Sequence, residues 1–101
     1  MQVLPTKISA NGTVTPLPFP AFLSMIMVSV TSAGSAWTLQ ITDTSGNAIY
    51  VANPVAVGNF YQLLPGVTYM SGQVNIVTSG TTAGVAYVWL GWGKTEGAAH
   101  P

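Results

Sequence analysis

Glycine and proline interrupt this chain at short intervals, and this spacing limits its fold more than any other feature. The sequence contains 11 Gly and 7 Pro in 101 residues. The runs between them are rich in Val, Ile, Thr, Tyr and Trp, the residue types that favour strands. Short strands that are bounded by turn residues predict an all-β domain.

The alternation of apolar and polar residues places the strands in the sequence. In Phe22–Thr31 both faces are apolar at the start, which predicts a central strand that is covered on both sides. The predicted strand segments are Gln2–Ser9, Thr13–Thr15, Phe22–Thr31, Ala36–Thr42, Ala48–Val51, Val55–Val57, Phe60–Leu64, Thr68–Met70, Gln73–Thr78 and Val85–Trp92. About seven or eight short antiparallel strands at this spacing indicate a β-sandwich or a barrel.

Several short motifs predict turns between these strands. Asn11-Gly12 is a strong hairpin signal, because both residues accept positive φ. In "DTSGN" we expect Asp43 to accept hydrogen bonds from the backbone that follows it. "LPGV", at residues 64–67, has Pro and Gly at the two corners of a turn. Pro5 lacks a backbone donor, so the first segment is expected to be an edge strand or an arm.

The length fits one domain, for which the sequence predicts three parts. Residues 1–20 are expected to form an extended N-terminal arm with a proline-rich lead-in. Residues 21–93 are expected to form the β-sandwich. Residues 94–101 have no apolar pattern and are expected to form a mobile tail.

Charge is scarce: charged residues make up 4% of the chain, and the net charge is zero. The charged residues are Lys7, Asp43, Lys94 and Glu96. A neutral chain without Arg lacks the basic patch that nucleic acid or an anionic membrane requires. The longest apolar stretch, Pro20–Val30, is too short to span a bilayer. No signal-peptide pattern or cysteine is present, so we expect a soluble chain without disulfides that is made in a host cytoplasm.

The stretch "GWGKTEG", Gly91–Gly97, contains the Gly-Lys-Thr of a phosphate-binding loop. The full motif needs a first glycine five positions before Gly93, where this chain has Val88. It must also open a helix, and "EGAAHP" cannot form one. The sequence therefore predicts a strand that ends in a polar tail rather than a nucleotide site.

The inventory of reactive residues argues against an enzyme. A carboxylate pair would have to combine Asp43 with Glu96, and a nucleophile would have to rely on His100 next to the C-terminus. One His without Cys cannot form a zinc site, and no acidic cluster offers a calcium site. We therefore expect no catalytic residues, no metal ligands and no cofactor.

Aromatic residues are the remaining candidates for function. Trp37, Trp89 and Tyr87 alternate with small or apolar residues, which favours a role in the core or in subunit contacts over a sugar-binding platform. Trp92 lies between Gly91 and Gly93, so we expect it to be exposed. An exposed Trp can dominate the energy of an interface.

Between Lys7 and Trp92 the chain resembles small bacteriophage head-decoration, or cement, proteins. The resemblance is carried by the layout of "ANGTVTPLPFPAFLSMIMVSVTSAGSAWTLQITDTSGNAIY" and of the closing segment "VNIVTSGTTAGVAYVWLGW". In that layout a polar arm leads through prolines to a β-hairpin whose turn is made of small residues, here "SAGS". The resemblance implies a jelly-roll-like sandwich, a homotrimer, and a position on the capsid surface that bridges shell subunits.

The expected function is therefore that of a non-enzymatic virion protein whose partners are the major capsid protein and other copies of itself. We expect the arm and the proline-rich segment to contact the shell or a neighbouring subunit. The candidate interface residues are Val3, Leu4, Pro5, Leu17, Phe19 and Trp92. Two alternatives remain open, a carbohydrate-binding β-sandwich module and a tail, neck or fibre component.

Overall fold

A computed structural model describes residues 2–94, and at positions 65, 66 and 94 it describes the backbone alone. The described residues form eight strands, and none of them is helical. The strands are β1 (Gln2–Ile8), β2 (Gly12–Leu17), β3 (Ala21–Ser32), β4 (Thr38–Thr42), β5 (Ala48–Ala52), β6 (Gly58–Met70), β7 (Val74–Ser79) and β8 (Val85–Lys94). The predicted all-β class is confirmed.

The strands form two four-stranded sheets, sheet A in the order β1-β8-β3-β6 and sheet B in the order β2-β7-β4-β5. All the strand pairs are antiparallel. The first strand pairs with the last, the second with the seventh, the third with the sixth and the fourth with the fifth. This nesting is that of one long hairpin rolled into two layers, so the predicted jelly-roll-like sandwich is confirmed.

The core lies between the sheets and consists of alternate residues from both of them. On β3 the side chains of Leu23, Ile26, Val28 and Val30 are buried. Opposite them lie Leu39 and Ile41 of β4 and Val74 and Ile76 of β7, which are fully buried. Trp37 closes one end of the core, where its indole Nε1 donates to Asn11 Oδ1 at 2.8 Å.

Two predicted hairpins are wrong, because consecutive strands cross from one sheet to the other. Asn11-Gly12 joins β1 in sheet A to β2 in sheet B, and "SAGS" lies between β3 in sheet A and β4 in sheet B. The side chain of Asn11 stabilises the crossing between the sheets, because its amide Nδ2 donates to the carbonyl of Gly80 at 3.0 Å. A turn motif thus marks a reversal without saying which strand the chain pairs with next.

The predicted turn at residues 64–67 is also wrong, because these residues lie within the single strand β6. β6 pairs with β3 at Met25–Leu63 and again at Leu23–Thr68. Residues 64–67 therefore lie opposite Ser24 alone, which makes them a large bulge in one strand. The predicted strand Val55–Val57 does not form.

The β4–β5 turn forms as predicted. The backbone N–H groups of Ser45 and Asn47 each donate to Asp43 Oδ1 at 2.9 Å. Gly46 has a φ of 85°, which a residue with a side chain rarely adopts. The carboxylate of Asp43 thus fixes the hairpin at the distal end of sheet B.

The N-terminal segment is an integral part of the sandwich. β1 pairs with β8 at every position from Gln2 to Ile8, and Ile8 belongs to the core. Of the two alternatives for this segment, the edge strand is the one observed. The predicted tail, apart from the backbone of Lys94, lies outside the described residues.

Candidate functional site

The outer surface of sheet A, hereafter the A face, is apolar although it is turned away from the core. Side chains alternate along a strand, so the neighbours of core residues point outward. The apolar residues of the A face are Val3, Pro5, Phe22, Met25, Met27, Tyr61, Leu63, Val67, Tyr69, Tyr87 and Trp89. β3 is central in its sheet as predicted, but the eight described strands form only two layers, so none of them covers this second face.

The strand register builds the A face as continuous rows. In one row Pro5 of β1 lies opposite Trp89 of β8, Trp89 opposite Met27 of β3, and Met27 opposite Tyr61 of β6. Cross-strand neighbours of this kind are within contact distance on one face. The row therefore forms an apolar band across the whole sheet.

A second row runs beside the first and joins Val3, Gly91, Met25 and Leu63. Gly91 has no side chain, so the surface of this row is recessed beside Trp89. The two rows together place large apolar side chains on every strand of the sheet.

The corner of the A face that contains Phe22 and Tyr69 is aromatic. Phe22 lies opposite Tyr69, and their ring centroids are 5.2 Å apart at an angle of 48°. Phe22 also lies opposite Gly93, and a Cβ built on Gly93 would meet no atom within 4 Å. An open depression therefore adjoins this aromatic pair.

Exposure on the A face is greatest along the edge strand β6. Tyr61 is 59% exposed, Leu63 62%, Val67 61% and Tyr69 52%. A large apolar patch of this kind on a small protein indicates a contact with another molecule.

The outer surface of sheet B, hereafter the B face, has the opposite character. One row joins Thr13, Val77, Gln40 and Val51 across the sheet. Its neighbours are tied by hydrogen bonds between side chains, such as Thr15 Oγ1 donating to Asn75 Oδ1 at 2.7 Å. The B face thus mixes neutral polar side chains with valines and lacks the large aromatic and Met side chains of the A face.

The free edges of both sheets are protected against strand addition by proline, bulges or short length. β1 contains Pro5, and β6 carries the bulge at residues 64–67. β2 contains Pro16 and an irregular register, and β5 is only five residues long. Contacts with other proteins are therefore expected through a face rather than through an edge.

Two of the six predicted interface residues lie on the A face, and the other four lie in the core or pack against it. Val3 and Pro5 are exposed on the A face. Leu4 and Phe19 pack against the core, and Leu17 is 1% exposed. The β3 and β6 residues of the A face were not among the predicted interface residues. The signal for β3 was present in the sequence, since both faces of Phe22–Thr31 are apolar at the start of the strand.

The prediction that Trp92 is exposed is wrong, because its side chain is 8% exposed and packs in the core. Its ring lies 5.2 Å from that of Phe19. Its indole N–H is buried without a hydrogen-bond partner among the described residues. The parity of β8 carried the correct signal, since Trp92 shares a face with Leu90, Val88 and Ala86.

Among the described residues, the Gly-Lys motif and two groups with shifted pKa values bear on chemistry. Gly91–Lys94 are part of strand β8, which does not fit a phosphate-binding loop. Residues 2–94 contain no group of three or more His, Cys, Asp or Glu that could hold a metal ion. Hydrogen bonds from the backbone and side chain of Asn47 lower the pKa of Asp43, and burial raises the pKa of Tyr50.

A scan against models of known protein families finds no match for this chain. A search of curated proteins likewise finds none that is significantly similar. No helix that is long and apolar enough to cross a membrane occurs in the part of the chain that the structure describes.

Proposed function

We propose that this protein is a non-enzymatic structural component of a bacteriophage virion that decorates and cements the capsid by bridging shell subunits. The observation that carries the proposal is the A face, a largely apolar surface with the charged Lys7 at one end, on a domain whose other sheet has a more polar exterior. Such a two-sided domain suits a place between other proteins and solvent. The virion setting comes from the layout that the sequence shares with decoration proteins.

High copy number suits such a surface. A decoration protein binds a shell at many equivalent places, so a modest affinity at each contact is multiplied by avidity. Apolar contacts do not depend on charge, which fits a chain whose net charge is zero. The partners under this proposal are the major capsid protein and other copies of this chain.

The copy number of the chain in purified virus particles tests the proposal. Quantitative mass spectrometry should find hundreds of copies per particle if the protein decorates an icosahedral shell. A dozen copies or fewer would instead indicate a neck, tail or fibre component. Absence from particles would overturn the virion proposal.

Attachment itself is better tested with point variants than by removing the N-terminal segment. Deleting the first ten residues would take away β1 and the core residue Ile8. Loss of attachment would then report unfolding. Val3→Asp changes the exposed side of β1 and leaves its pairing with β8 in place, so the folded variant is expected to attach less well.

A carbohydrate-binding module is the second candidate, favoured by the exposed rings of Tyr61 and Tyr69 on the A face. Trp37 and Trp92 are buried, so a bound sugar would change the fluorescence of Trp89. Titration with a panel of oligosaccharides distinguishes the two functions, because an assembly protein would give no saturable change.

A further inference from the structure

We propose that the A face is the site of self-association, where a second copy of this chain packs face to face about a two-fold axis. This inference names one partner of the surface on which the proposed function rests. It requires only the purified chain and not the virion. Four features of the A face support it: its size, the absence of charged residues from its two apolar rows, the similar character of the surface on both copies, and its surface shape.

The size of the A face fits a stable dimer. A fully exposed aromatic side chain offers roughly 150–250 Å², so the exposed fractions of Tyr61 and Tyr69 alone amount to about 200 Å². Val3, Leu63 and Val67 are also at least half exposed. Pro5 and the half-buried side chains between them add to this area. A standard interface buries about 800 Å² on each partner, which is within reach of this surface.

The lack of charge removes the main obstacle to pairing a surface with itself. In a two-fold interface each patch meets its own copy, so a charged patch would meet like charge. Lys7 lies at one end of the A face, and its neighbours in that row are Tyr87, Ser29 and Asn59. The two apolar rows contain no ionisable acid or base other than the phenol of Tyr61.

Among the described residues, the larger group of exposed apolar side chains on the second copy lies on its own A face, while Val14, Val51, Val55 and Val57 are exposed elsewhere. The B face is built from Thr, Asn and Gln side chains with two valines in its central row. A ring in which each A face met a different surface of its neighbour would bury apolar side chains against polar ones that lose water. The two-fold arrangement is therefore preferred over the trimer that the sequence resemblance implies.

The relief of the A face also suits two copies. Trp89 stands between Met27 and Pro5, while Gly91 and Gly93 on the same strand carry no side chains. The space above Gly93 is open. A two-fold axis that crosses β8 lets each Trp89 lie over the glycines of the other copy.

Sedimentation equilibrium over a range of micromolar concentrations tests this inference on the purified full chain. We expect a dimer of about 21 kDa, twice the chain mass of 10.5 kDa. Leu63→Lys should weaken the dimer about 100-fold, because each substitution occurs twice in a two-fold interface. Val51→Lys is the matched control, since Val51 is 52% exposed on the edge strand of sheet B, and it should leave the dimer unchanged.

Gly93→Glu is a second variant that does not depend on the tolerance of β6. A Cβ at this position meets no atom within 4 Å in the isolated chain, whereas the Glu side chain would occupy the depression that the second copy needs. It should abolish the dimer while leaving the thermal unfolding of the monomer near that of the wild type. Emission from Trp89 should shift to shorter wavelength as the wild-type chain associates, and Trp89→Phe should remove that shift.

Three results would overturn the inference: a wild-type monomer at all concentrations, a trimer, or a dimer that Leu63→Lys and Gly93→Glu leave intact. None of these bears on whether the chain occurs in virus particles. A dimer in solution with no copies in particles would, conversely, retain self-association and remove the virion proposal.

Discussion

The A face and the B face belong to sheets of the same size and the same antiparallel pairing, and both sheets bury their inner side, yet their central outward rows differ in polarity. Sheet A turns Trp89, Met27 and Tyr61 outward, whereas sheet B turns Thr13 and Gln40 outward. The fold requires only that the inner side be apolar. The outer side is therefore where the sequence is free to encode a contact, and under our proposal sheet A does so.

Neighbouring residues on β3 show the same distinction at the scale of one peptide unit. Ile26 is fully buried between the sheets, while Met27 is half-buried on the A face. Both are large and apolar, so hydrophobicity alone does not separate core from contact surface. Strand parity and register do.

The largest expected effect comes from truncating these two neighbours separately. Ile26→Ala should lower the free energy of unfolding by about 3 kcal/mol, because it leaves a cavity in the core. Met27→Ala should lower it by less than about 1 kcal/mol in the monomer, since only an outer contact is lost. Urea unfolding, at a protein concentration too low for self-association, measures both losses in the free energy of unfolding. Equal losses would mean that the A face acts as a second core within the single chain.

A gain of self-association through the B face would show whether apolar character alone is sufficient for a sheet face to self-associate. Thr13→Val with Gln40→Val makes the row that also contains Val77 and Val51 entirely valine. Added to the Leu63→Lys variant, these changes should restore association at least about tenfold, equivalent to about 1.4 kcal/mol. Thr13→Ser in the same background is the control. Unchanged sedimentation of the valine variant would show that shape, as well as polarity, distinguishes the two faces.

Local pattern in the sequence was enough to predict the strands and the inner side of most of them. The segments Ala36–Thr42 and Gln73–Thr78 were predicted as strands and contain β4 and most of β7, and the proline in β1 predicted an edge or an arm. These features depend on neighbours in sequence, where steric and hydrophobic preferences act directly.

Pairing and exposure were harder to predict, because they depend on residues far away in the chain. The partner of β1 is β8, about eighty residues later, so Asn11-Gly12 gave no sign that the chain crosses between sheets. Trp92 was expected to be exposed from its glycine neighbours, but strand parity places it in the core. The A face is formed by residues of four strands, so its composition depends on their register. No single segment of the sequence is enough to predict it.

Lowering the pH should give the smallest effect on stability. This effect is expected in sheet B and not on the A face. Hydrogen bonds from Asn47 hold the pKa of Asp43 below its usual value of 3.8 in the folded hairpin of sheet B. Stabilisation from this carboxylate is therefore fully present above that value and is lost as the pH falls through the lowered pKa. The described residues contain no other carboxylate side chain, since Glu96 lies outside them.

Thermal unfolding of the wild type and of Asp43→Asn between pH 7 and pH 2 measures this contribution. The wild type should be slightly more stable at neutral pH, and the difference should disappear in acid as the carboxylate takes up its proton. Self-association should stay constant from pH 7 down to about pH 4, because the A face carries no group that titrates there. A dimer that dissociates in this interval would place a group that titrates there, a carboxylate or His100, in the interface and assign self-association to another surface.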